Sequence, residues 1–168
     1  MSVNILDRIW APWRIEYIEQ PKLYDECFIC KILKEKKDDK NLILYRGKNA
    51  IVLLNKYPYI AGHLMVAPNQ HLSNLEELPI VTNREIWELT TKTVILLKKA
   101  VNPEGFNIGM NLGAVSGAGL KTHVHIHIVP RWTGDTNFMP IISGTRAISE
   151  GLERTYEKFM NFIDIYEE

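Results

Sequence analysis

The sequence predicts an α+β domain in which one mostly antiparallel, five-stranded sheet is packed by helices. Three observations predict it. Short apolar runs of strand length recur at 42–47, 50–55, 63–68, 106–113 and 123–130, several bounded by Gly or Pro. Two segments, 83–101 and 147–165, repeat apolar residues at helical spacing. The chain has 168 residues, 46% apolar and 24% charged, which suits a single domain with a sizeable core.

In chain order, residues 1–26 form an N-terminal arm whose Trp10, Trp13 and Tyr17 need burial against the body or a partner subunit. "CFICKILKEK" is a short helix, and the lysine-rich 34–40 is its solvated end. "LILYRG" and "AIVLLN" make a hairpin around Gly47, Lys48 and Asn49, and "HLMVAP" is a strand stopped by Pro68. Thr82 followed by Glu85 is a capping-box signature that starts a helix over 83–101, with Ile86, Leu89, Val94, Leu97 and Ala100 on its apolar face. "FNIGMNLG" alternates as a strand, "AVSGAG" is a small-residue loop, and "HVHIHIVP" is the fifth strand, ended by Pro130. Ile148, Leu152, Tyr156, Phe159 and Ile163 mark the last helix. The domain core covers 27–138, and 139–168 is a C-terminal helical extension.

Lys plus Arg equals Asp plus Glu, 20 each, so the net charge is zero. A generic nucleic-acid binder carries a basic excess, so nucleic acid is not an expected partner. No apolar run approaches the roughly 20 residues of a membrane span. The N-terminus lacks a signal-peptide h-region, so a soluble cytoplasmic protein is expected. Two cysteines three residues apart do not make a disulfide framework.

The chemistry concentrates in "THVHIHIVPRW". On a strand, alternate side chains share one face, about 7 Å apart. His123, His125 and His127 then line one face while Val124, Ile126 and Ile128 bury the other. Each imidazole can be neutral nucleophile, proton carrier or cation near neutral pH. Charging all three together is unfavourable, and an anion between them relieves the repulsion. The glycine-bearing loop before the strand lets backbone N–H groups approach that anion, and Lys121 and Arg131 flank the cluster. A histidine nitrogen attacking phosphorus splits one transfer into two steps. Two other readings stand beside this one: a three-histidine catalytic zinc, for which ligands along one strand converge awkwardly, and three polar residues on an exposed sheet face. For Ile51, Leu53, Leu54 and Asn55 the alternatives are a base pocket with a ribose hook or plain sheet core and a turn. C-x-x-C alone is a weak signal; a zinc site needs two further ligands.

"HVHIHIV" followed by "PRW" resembles the His-φ-His-φ-His-φ-φ motif of the histidine triad (HIT) family, φ being apolar. "LNKYPYIAGHLMVAPNQH" resembles that family's second signature, and the likeness covers most of 27–138. "WAPWR", "GFNIGMNLG" and "PRWTGDTNF" are most similar to its bacterial diadenosine tetraphosphate phosphorylase (ATP adenylyltransferase) branch. The resemblance implies a HIT fold, extended across a homodimer or higher oligomer by joined sheets. It implies cleavage of adenosine polyphosphates such as diadenosine tetraphosphate through an adenylyl-histidine intermediate, with phosphate as acceptor. His125 would be the nucleophile, His127 would bond phosphate oxygens, and His123 would support the pair or bind metal. Asn55 would meet the ribose hydroxyls beside Leu54, Asn111 would hold the nucleophile region, and Ser116, Gly117 and Gly119 would line the phosphate loop. Gly119 is a departure, since many members have Gln there. A structural zinc on Cys27, Cys30, His71 and His123 is also implied, with no organic cofactor; otherwise these are two buried thiols and a surface His71. His63 is assigned to the turn. The alternatives are a phosphoramidase or nucleotide hydrolase of the same family and a non-catalytic nucleotide-binding protein.

Overall fold

The computed structural model describes residues 27–135 and 150–168. The arm aromatics Trp10, Trp13 and Tyr17, and Ile148, lie outside the described residues. Helix α1 (Phe28–Lys34) leads into the hairpin β1 (Ile43–Arg46) and β2 (Ala50–Leu54), then β3 (Leu64–Pro68). Helix α2 (Ile80–Val101) follows, then β4 (Gly105–Met110), β5 (Ile126–Arg131) and α3 (Leu152–Met160). The five strands order as β1-β2-β3-β5-β4, with every neighbouring pair antiparallel. The α+β expectation is met.

Strand alternation divides the core. Ala50, Val52, Leu54, Leu64, Val66, Val124, Ile126 and Ile128 face α2 and α3, where Ile86, Leu89, Leu96, Leu97 and Phe159 meet them. Ile51, Leu53, Met65 and Ala67 face the other way, against Ile29 of α1. Both faces of β2 and β3 are therefore covered, and both strands are buried throughout. The triad lies on the α1 side, where His127 pairs with Met65 of β3.

Several boundaries differ from expectation, each for a physical reason. Helix α2 begins at Ile80 after Pro79, without a side-chain cap. Thr82 is buried inside it. Glu85 instead accepts hydrogen bonds from the Asn49 and Ala50 backbone N–H groups and from Asn49 Nδ2, and so ties the hairpin turn to α2. β5 runs through Pro130 to Arg131. The Arg131 carbonyl accepts from Glu104 N–H on the β4 side, so Pro130 faces the β3 side, beyond the last β3 partner at Ile128. No ladder bond is lost there. The last helix stops at Met160, and a 3₁₀ turn, Ile163–Tyr166, folds back onto the sheet. There Tyr166 stacks on Tyr45 and shares a hydrogen bond with Thr93 Oγ1. Phe159 is wholly buried and Tyr156 donates its hydroxyl to the Ile43 carbonyl.

Gly62 shapes the turn before β3. Its φ is +81°, and a Cβ there would lie 3.3 Å from both Phe159 Cζ and Pro130 Cγ. A left-handed backbone costs a residue with a Cβ about 1–2 kcal/mol, and crowding adds to it. Gly62→Ala is expected to destabilise the fold by about 2 kcal/mol, read as a lower urea midpoint at unchanged slope.

Candidate active site and metal centre

The three triad imidazoles face three different partners. His125 and His127 stand edge to face, with ring centres 4.7 Å apart. His125 Nδ1 lies 2.9 Å from the His123 carbonyl, which can only accept, so Nδ1 carries the proton. The Nε2 lone pair of His125 is thereby left bare. Burial lowers its pKa from 6.5, which keeps that lone pair unprotonated.

His127 is set from the other side by His63. The Tyr59 backbone N–H donates to His63 Nδ1 at 3.1 Å, so the proton of the neutral ring sits on Nε2. His63 Nε2 lies 3.0 Å from His127 Nδ1 and donates to it. The N–H of neutral His127 is then on Nε2, a donor for an oxygen anion. His63 is fully buried, and its pKa is held well below 6.5 by burial, then by the neighbouring His127 and His125. It does organise the turn, as expected, with Asn55 Nδ2 at 3.3 Å. It is also the partner of His127, a role that sequence reasoning missed although its "GH" stood in the quoted signature.

His123 completes the set by facing away from the other two. Its Nε2–H donates to the Pro68 carbonyl at 2.8 Å, leaving Nδ1 as a lone pair. Nδ1 lies 3.3 Å from Cys27 Sγ and 3.7 Å from Cys30 Sγ, and Cys30 Sγ lies 3.2 Å from His71 Nδ1. All four donors fall within 4.8 Å of one another. A tetrahedron with Zn–N and Zn–S arms of about 2.0–2.3 Å has edges of about 3.3–3.8 Å. The donor set and spacing therefore fit a closed structural zinc with Cys2His2 ligation. A catalytic zinc on all three triad histidines does not fit, because their ring nitrogens do not converge.

A cavity of about 530 Å³ opens beside the triad. His127, Asn55, Leu54 and Gly119 line it, together with Cys27 and His71 of the metal cluster. Its apolar wall is Phe28, Ile32, Leu53 and Leu120, and Lys31, Lys40 and Lys56 give it a cationic margin. Leu53 is the hairpin side chain on this face; Leu54 packs into the core on the α2 side. Asn55 Oδ1 accepts from the Tyr57 N–H, the expected turn, while the residue still borders the cavity. Asn111, Ser116 and Gly117 do not line the cavity, and Ser116 Oγ donates to the Gly113 carbonyl of its own loop. Arg131 sits at the far end of β5, bonded to Asp135 and Asn107 instead of flanking the triad.

The buried imidazoles predict acid lability. The His123 pKa is lowered to about 4, chiefly by burial. In the unfolded chain a histidine titrates near 6.5. Above that value neither state binds the proton and stability is full. Between about 6.5 and about 4 the unfolded chain is protonated first, so stability falls with pH. His123 and His63 both act in this direction. Urea midpoints of metal-free protein at pH 7.5 and 4.5 check it.

The HIT domain family matches residues 36–134. AP-4-A phosphorylase of Mycobacterium tuberculosis is 38% identical over 157 residues, covering 89% of this chain and 80% of that protein. Among solved structures, a hypothetical histidine triad nucleotide-binding protein from Sulfolobus tokodaii aligns with TM-score 0.66 at 26% identity, covering 84% of this chain and 93% of that one. A Zn-bound histidine triad family protein from Mycobacterium smegmatis aligns with TM-score 0.68 at 21% identity, covering 84% and 96%, a likeness of fold. The chain belongs to the HIT domain family.

Proposed function

We propose that this protein is an enzyme that cleaves adenosine polyphosphates, diadenosine tetraphosphate foremost, with phosphate as acceptor. The carrying observation is that the hydrogen bonds of two adjacent histidines favour complementary tautomers of their neutral forms: His125 with a bare Nε2, His127 with a proton on Nε2. His125 Nε2 attacks the α-phosphorus, forming a P–N bond as the P–O bond to the leaving ATP breaks. His127 Nε2–H supports the charge that develops on oxygen. Phosphate then attacks the adenylyl-histidine, releasing ADP and restoring His125. The apolar wall of Phe28, Ile32 and Leu53 receives the base and Asn55 the ribose. Asn111, Ser116, Gly117 and Gly119 belong to the loop region beyond β4 that would close over the polyphosphate. Zinc on Cys27, Cys30, His71 and His123 is structural in this reading. The 38% identity to a protein named AP-4-A phosphorylase supports the substrate class.

Incubation with diadenosine tetraphosphate, with and without phosphate, tests the reading. ADP plus ATP formed only with phosphate supports a phosphorylase. AMP plus ATP means a hydrolase. No turnover of dinucleotides sinks the proposal. His63→Ala is expected to lower kcat by about tenfold or more, with KM changed much less, because it leaves the His127 tautomer unset. An unchanged kcat in steady-state assays would confine His63 to the turn.

A second copy is the expected partner. β4 is an edge strand, with Ile108 and nearby Leu112 exposed. On α2, Ile80, Val81, Trp87 and Ile95 are exposed as well. Pairing β4 edges would join two sheets and cover an open ladder. The protein is expected to act in the cytoplasm; no helix among the described residues is long and apolar enough to cross a membrane.

A further inference from the structure

The backbone leaves strand geometry where the chemistry needs rigidity. Ladder pairing of β5 begins at Ile126. His123 and His125 therefore lie on the approach to the strand, His123 in a bend. Backbone bonding holds this approach through Val124 N–H, which donates to the Leu72 carbonyl at 2.7 Å. Two further anchors both belong to one side chain. His123 Nε2–H reaches the Pro68 carbonyl, and His123 Nδ1 points into the Cys27, Cys30 and His71 cluster. The carbonyl of that same residue takes the Nδ1–H of His125 at 2.9 Å. Side-chain ligation and nucleophile orientation thus meet in a single residue.

We propose that the four-ligand cluster positions the nucleophile as well as stapling α1 to the sheet. Ligation through His123 Nδ1 holds the His123 peptide so that its carbonyl keeps the His125 proton on Nδ1 and leaves Nε2 directed at phosphorus. Cys27, Cys30, His71 and His123 are then positioning residues for His125. Outer-shell partners of this kind are worth about 10–100-fold in function, and a displacement of about 1 Å at a reacting atom costs about 10²-fold. The inference rests on His125 being the nucleophile, as proposed above.

The test compares zinc-loaded wild-type protein with the same protein stripped by chelator, with circular dichroism verifying that both are folded. In ¹⁵N-histidine-labelled protein, His125 is expected as the Nδ1–H tautomer when loaded and as a tautomer mixture when stripped. On stripping, kcat for diadenosine tetraphosphate falls about tenfold or more, KM changes by less than about twofold, and added zinc restores both signals. A purely structural staple would move stability and leave the tautomer in place. His71→Ala covers the case in which stripped protein unfolds. His71 is the exposed ligand, so its loss weakens metal binding and spares the half-buried cysteines and the buried His123; kcat per folded molecule then follows zinc occupancy. A His125 tautomer and a kcat both indifferent to zinc overturn the proposal. Absence of turnover in loaded wild-type protein is instead a failure of the functional reading, and the tautomer measurement still decides the coupling.

Discussion

His125→Ala is expected to reduce kcat for diadenosine tetraphosphate by at least about 10³-fold, with binding of AMP little changed. The reasoning is one of bond-making. No other imidazole in the site presents a bare nitrogen to the same place: His127 Nδ1 accepts from His63, and His123 Nδ1 faces the cysteines. Without His125, reaction falls back on direct attack by phosphate or water, aided only by the remaining hydrogen-bond donors. His127→Ala should differ in kind. It keeps the nucleophile and loses a donor, a deficit of about 10²-fold that shrinks when the leaving group is intrinsically good. Trapping with radiolabelled substrate separates the two, since only proteins with His125 acquire the adenylyl label. A labelled, fully active His125→Ala protein would sink the mechanism.

Removing the cluster is the second large effect. Cys27→Ser with Cys30→Ser deletes two of four ligands and leaves His123, fully buried, with an unpartnered nitrogen. The cluster joins three stretches distant in sequence: the start of α1, the segment after β3 and the approach to β5. A structural zinc contributes folding free energy outright. A loss of about 3 kcal/mol or more is expected. For a chain of this size that lowers Tm by roughly 10 °C. Metal analysis should give one zinc per wild-type chain purified without chelator and none in the double variant. Wild-type protein without zinc, or an unchanged Tm in the variant, would refute the structural role.

How much of this was legible beforehand varies with the residue. The Val124, Ile126 and Ile128 face was readable from period alone, as were the five strand-like runs and the two longer helices. The histidine approach was not. His123 and His125 follow strand periodicity, yet the ladder begins at Ile126: β4 ends opposite it at Met110, while β3 runs on to Pro68 paired only with β2. Thr82 and Glu85 carry a correct local signature that tertiary structure overrode, since Glu85 has better donors in the hairpin turn than at its own helix start. Leu53 and Leu54 both border the cavity, and only tertiary packing shows that the Leu53 side chain shares its face while that of Leu54 packs toward α2. His63 looked like a turn residue because its second partner, His127, lies 64 positions away.

The sequence by itself determined which side chains share a face, because alternation and helical period follow from local backbone geometry; the four zinc donors came from the family resemblance. Tertiary structure alone decided what each histidine does. A ring nitrogen is donor, acceptor, ligand or nucleophile according to the group opposite its partner nitrogen. Those groups, the Pro68 carbonyl, the His123 carbonyl and His63, are brought into place only when the sheet closes around them.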